Sequence, residues 1–118
     1  MDNFIIYHNP RCSKSRQSLE ILREKEIEPE IIFYLETPPS EEELKSITTK
    51  LRINAFELLR KNEKEFKEQD LANPSRTEGE IIQAMVKFPR LIERPIIIKG
   101  DRAIIGRPPE NVLKIIYE

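Results

Sequence analysis

The sequence predicts an α/β chain: a four-stranded mixed sheet in the order βαβ, a helical insertion, then ββα. Three features carry this: two apolar runs of strand length around a helix-forming segment, a middle third opened by capping motifs, and a late pair of isoleucine-rich runs around a Gly-Asp turn. At 118 residues there is room for one core, so 1–118 is expected to be a single domain with the insertion at about 40–90.

Phe4-Ile5-Ile6-Tyr7 is a continuous apolar run, and Ile31 to Leu35 is a second, so both read as buried strands. Between them, Ser13 to Glu26 holds good helix formers with Leu19 and Leu22 on one face, preceded by the Asn9-Pro10 break. A strand, a crossover helix and a strand imply parallel pairing. Ser40 with Glu43, and Thr77 with Glu80, stand at capping-box spacing and open helices. Another helix is expected after Asn54, while the charge run from Lys61 to Asp70 reads as a solvated face or loop without function. Ile96-Ile97-Ile98 and Ala103-Ile104-Ile105 flank Gly100-Asp101 as a hairpin. Pro108-Pro109 opens a final helix whose Val112, Leu113 and Ile116 face the core.

Twenty basic and twenty-one acidic residues are interleaved, for a formal charge of -1. No global field invites nucleic acid or an anionic membrane, so any anion site is local, made by a few arginines. No basic leader or long apolar run marks export or a membrane span, and one cysteine fits a reducing compartment. The expectation is a cytoplasmic monomer.

That cysteine, Cys12, follows the first strand at the start of the first helix, where free N-H groups and the positive end of the dipole favour a thiolate. A lone cysteine is more often a small buried hydrophobe. Here Arg11, Ser13 and Lys14 give it polar company that suits a nucleophile instead. With no second cysteine in the sequence, a cycle that oxidises Cys12 takes its resolving thiol from another molecule. His8, the single histidine, either tunes the thiol or is an ordinary residue satisfied by backbone. One histidine and one cysteine do not make a metal site, and no bound cofactor is expected. Arg60, Arg94 and Arg107 each sit beside a break; singly they read as surface charges, together as a cradle of fork-shaped donors for a tetrahedral oxyanion.

His8-Asn9-Pro10-x-Cys12 with Ser15-Arg16, Tyr34-Leu35-Glu36-Thr37-Pro38-Pro39, Leu58-Leu59-Arg60-Lys61-Asn62, Arg94-Pro95-Ile96 and Gly106-Arg107-Pro108 together resemble the glutaredoxin-coupled arsenate reductase family. The likeness runs from the first strand to the last helix. It implies a thioredoxin-like core with a helical insertion, and Pro95 as a cis-proline facing the cysteine. It further implies Cys12 as nucleophile, His8 and Ser15 lowering its pKa, and Arg60, Arg94 and Arg107 binding arsenate. Glutathione would be the co-substrate and glutaredoxin the protein partner. Two rival readings use the same thiol: a thioredoxin-like redox-sensing regulator of RNA polymerase, and a monothiol glutaredoxin-like oxidoreductase.

Overall fold

Ile31, Ile6, Ile97 and Ile104 lie side by side across four strands, a row fixed by strand register. The computed structural model describes residues 3–117. β1 (Phe4–Tyr7) pairs in parallel with β2 (Glu30–Ile32) and antiparallel with β3 (Ile96–Lys99), which pairs antiparallel with β4 (Arg102–Ile105). The order β2-β1-β3-β4 is the four-stranded mixed sheet expected, in the thioredoxin-like arrangement. Gly100, at φ 62, supplies the left-handed conformation that the β3–β4 turn requires.

By contacts the chain divides into two units. The first runs up to Thr37 and resumes at Arg94, and holds the sheet with α1 (Ser13–Glu24) and α5 (Val112–Tyr117). Leu19 and Leu22 of α1 and Val112 and Ile115 of α5 pack on Ile6 and Ile97 to form its core. Burying each such side chain contributes about 1.5–3 kcal/mol. Because Ile6 and Ile97 are wholly buried, β1 and β3 are the rigid centre from which the adjoining loops project.

The second unit, Pro38–Glu93, is helical. α2 (Glu41–Leu51) and α4 (Glu78–Lys87) begin at Ser40 and Thr77, and both capping boxes form as the spacing predicts. Among the described residues no helix is long and apolar enough to cross a membrane.

Four local expectations differ from the structure. The second strand stops at Ile32: as an edge strand it has one partner, and the chain turns away where Glu36 and Thr37 N-H both donate to the Phe33 carbonyl, leaving Phe33 and Leu35 exposed. After Asn54 only a 3-10 turn, Phe56–Leu58, forms, since the Leu59 backbone is extended and makes a bridge to Ile92. The charged stretch after Lys61 contains α3 (Lys64–Glu68), with Glu65 buried. The last helix, after the 3-10 turn Pro109–Asn111, buries Val112 and Ile115 and packs Ile116 against the same core as expected, while Leu113 is only partly covered.

Candidate active site around Cys12

Asn9-Pro10-Arg11-Cys12 is a tight turn closed by Cys12 N-H donating to the Asn9 carbonyl at 3.0 Å, while the Asn9 side chain accepts Arg11 N-H at 3.0 Å. Proline preset for the turn and an asparagine bonding its own backbone are the chemistry that such a turn needs. It delivers Cys12 as the N-cap of α1, with extended backbone at φ -97, ψ 122. Arg16 N-H then donates to the Cys12 carbonyl at 3.0 Å, opening the helix.

No conventional side-chain cap is made at Cys12, so the free N-H groups of the first turn face sulfur rather than oxygen. Cys12 is 8 % exposed, and it is free. Burial pushes the thiol up, but the Ser15 N-H, the hydrogen bond and charge of Arg94 and the Lys14 N-H outweigh it, and the thiol pKa falls below its ordinary value. Arg107 adds its own contact, Nη2 donating to Sγ at 3.4 Å. The buried sulfur is thus met by donors from Ser15, Lys14, Arg94 and Arg107.

Arg94 and Arg107 arrive from the two ends of the β3–β4 hairpin. Arg107 Nε donates to the Arg94 carbonyl at 2.8 Å, which ties the two residues together. The Arg94-Pro95 and Arg107-Pro108 bonds are both cis. Gly106 N-H donates to the Pro95 carbonyl at 2.9 Å, and the Asn111 amide donates to the carbonyls of Ile105 at 3.3 Å and Arg107 at 3.0 Å.

His8 directly follows β1 and is 5 % exposed. Its Nδ1 lies 2.6 Å from Ser15 Oγ, which also accepts Asn9 N-H at 3.1 Å, and its ring packs at a tilt on Phe33. Burial, then the charges of Arg23 and Arg16, hold its pKa below the ordinary value, so the ring is neutral at neutral pH. His8 thus meets Ser15 rather than the sulfur, and Ser15 N-H meets the sulfur.

The first unit therefore brings together Cys12, His8, Ser15, Arg94, Pro95 and Arg107. Arg60 belongs to the helical unit, where its guanidinium contacts Glu93 at 2.9 Å and Glu63 at 3.4 Å and its N-H donates to the Leu91 carbonyl at 2.7 Å. Two residues that the sequence reading passed over, Asn9 and Asn111, brace the site. Asn9 was visible as an Asn-Pro turn signal, whereas Asn111 has no local signal, since its partners lie upstream of a proline pair. Among the described residues no group of three or more His, Cys, Asp or Glu is placed to hold a metal ion. The arrangement can hold a tetrahedral oxyanion against a thiolate by charge-assisted hydrogen bonds.

Comparison with known proteins adds to this geometry. The profile of the ArsC family matches residues 7–115. An arsenate reductase of Haemophilus influenzae is 46% identical, over 95% of this chain and 97% of its own length. The uncharacterized protein YfgD of Escherichia coli is 51% identical, over 94% of each chain. A solved arsenate reductase structure from Vibrio cholerae superposes with a TM-score of 0.94 at 43% identity, covering 97% of this chain and 98% of that one.

Proposed function

Because the chain belongs to the ArsC family, we propose that it reduces arsenate to arsenite through a covalent Cys12-arsenic adduct, with glutathione and glutaredoxin supplying the two electrons. The observation that carries this reading is the sulfur at the first turn of α1, contacted by Arg107 and lowered in pKa by Arg94, in a sequence with no second cysteine.

The Cys12 thiolate attacks As(V), an As-S bond forms, and an arsenate oxygen leaves as water. The glutathione thiol adds a second As-S bond with loss of a second water. A glutaredoxin thiolate then attacks the glutathione sulfur; the electron pair of the breaking As-S bond stays on arsenic, giving As(III) and a glutaredoxin-glutathione disulfide. Water releases arsenite and restores the thiolate. Arg94 and Arg107 stabilise the anionic arsenic species, and Ser15 N-H and Lys14 N-H favour sulfur as attacking and leaving thiolate. His8, neutral, holds Ser15 in place. The cycle suits the reducing cytoplasm, where both thiol donors are kept reduced.

The test is arsenate-dependent NADPH oxidation with glutathione, glutaredoxin and glutathione reductase. Wild type is expected to turn over, Cys12→Ser to be inactive, and Arg94→Ala to be strongly impaired. A wild-type protein silent with arsenate overturns the substrate assignment.

A further inference from the structure

Arg107 contacts the sulfur from a backbone held by several hydrogen bonds. A guanidinium on a flexible stem is a preorganised donor when its main chain and its other nitrogens are already committed. Several such commitments are visible here. Arg107 N-H folds back onto the Ile105 carbonyl at 2.9 Å, making Ile105-Gly106-Arg107 a three-residue turn. The Asn111 amide spans that turn, its Nδ2 donating to the carbonyls of both end residues. Gly106 N-H anchors the middle to the Pro95 carbonyl, and Arg107 Nε is spent on the Arg94 carbonyl. Its Nη2 meets Cys12 Sγ at 3.4 Å.

Gly106 is required by space. Among the described residues Gly100, not Gly106, carries a positive φ. A Cβ on Gly106 would run into Ser18 Oγ and stand 2.8 Å from Pro95 Cγ and 3.3 Å from Ser18 Cβ. Ser18 is wholly buried on α1, and the Pro95 ring is stiff. Neither can retreat far, so the turn would have to move, and Arg107 with it.

We propose that Asn111 and Gly106 are positioning residues for Arg107: they lock the Ile105–Arg107 turn against α1 and Pro95, so that the guanidinium meets Cys12 without rearrangement. The proposal rests on the reading of Cys12 as the nucleophile. Asn111 touches neither the sulfur nor, through it, the oxyanion; it acts by donating to two carbonyls, which an isosteric apolar side chain cannot do.

The experiment is the pH profile of Cys12 alkylation in the full chain, for wild type, Arg107→Ala, Asn111→Leu, the double variant and Gly106→Ala, alongside arsenate turnover. Circular dichroism confirms folding. Asn111→Leu is expected to raise the midpoint pH by at least half the shift of Arg107→Ala, and the double variant to go no further than Arg107→Ala alone, because the two changes remove one interaction. Gly106→Ala is expected to shift the same way; if it does not fold, Asn111→Leu decides. Additive shifts, an unmoved Asn111→Leu midpoint, or an unmoved Arg107→Ala midpoint would overturn the proposal. Absence of arsenate turnover with non-additive midpoints sinks the substrate reading and leaves the positioning role standing; turnover with additive midpoints does the reverse.

Discussion

His8 Nδ1 and Ser15 Oγ stand 2.6 Å apart in a buried contact, which couples the end of β1 to the first turn of the helix that carries the nucleophile. Ser15 N-H is the leading group that lowers the thiol pKa, so its position matters more than its hydroxyl. Replacing either member loosens that turn. His8→Ala and Ser15→Ala are each expected to raise the Cys12 pKa and slow iodoacetamide alkylation at neutral pH, with no further slowing when combined.

Arg94 opposes the burial that pushes Cys12 up, through both a hydrogen bond and charge. Removing an opposite charge at contact distance typically moves a pKa by about one unit or more. Arg94→Ala is therefore expected to raise the thiol pKa by about one unit or more, read as thiolate absorbance against pH, and to lower the thiolate fraction near pH 7. Arg94→Lys is expected to restore charge without the fork and recover only part of the shift.

Stability is expected to vary with pH at both ends of the neutral range. Burial, then the charges of Arg23 and Arg16, lower His8 below 6.5, so the unfolded chain binds a proton that the folded one resists. That contribution is fully present above pH 6.5 and is lost as pH falls through the folded value. Cys12 lies below 9.0, so its contribution is complete above that pH and is lost as pH falls through its folded value. Urea unfolding at a series of pH values checks this: His8→Gln flattens the acid side, and Cys12→Ser the alkaline side.

Stability away from the site is set by caps and core. Thr77 accepts Glu80 N-H while Glu80 accepts Thr77 N-H, so Thr77→Ala is expected to cost about 1 kcal/mol in urea titration. Leu22, fully buried in the sheet unit's core, is expected to cost about 2–5 kcal/mol on truncation to alanine. Thr77→Ala is expected to leave the Cys12 alkylation midpoint unchanged.

Periodicity made the sheet legible, because Phe4 to Tyr7 and Ile96 to Ile98 are covered on both faces and so are apolar at every position. It overextended the second strand, where Phe33 and Leu35 are apolar yet exposed. It also misread Ala55 to Leu59, whose apolar residues serve an extended bridge as well as a turn. At the site, Cys12 was readable from its place between a strand and a helix. The convergence of Arg94 and Arg107 was not readable from spacing, since it depends on the hairpin bringing its two ends together. The brace by Asn111 was invisible for the same reason: its partners are main-chain oxygens that no side-chain pattern records.

A sulfur with only 8 % of its residue's surface open is a poor target for another macromolecule, however well ionised. A small thiol such as glutathione fits such a recess better than a folded protein does. Under the proposed cycle the glutaredoxin never has to reach Cys12. Its target is the glutathionyl sulfur, carried outward by the arsenic atom, so the adduct itself acts as the handle by which a recessed centre is served.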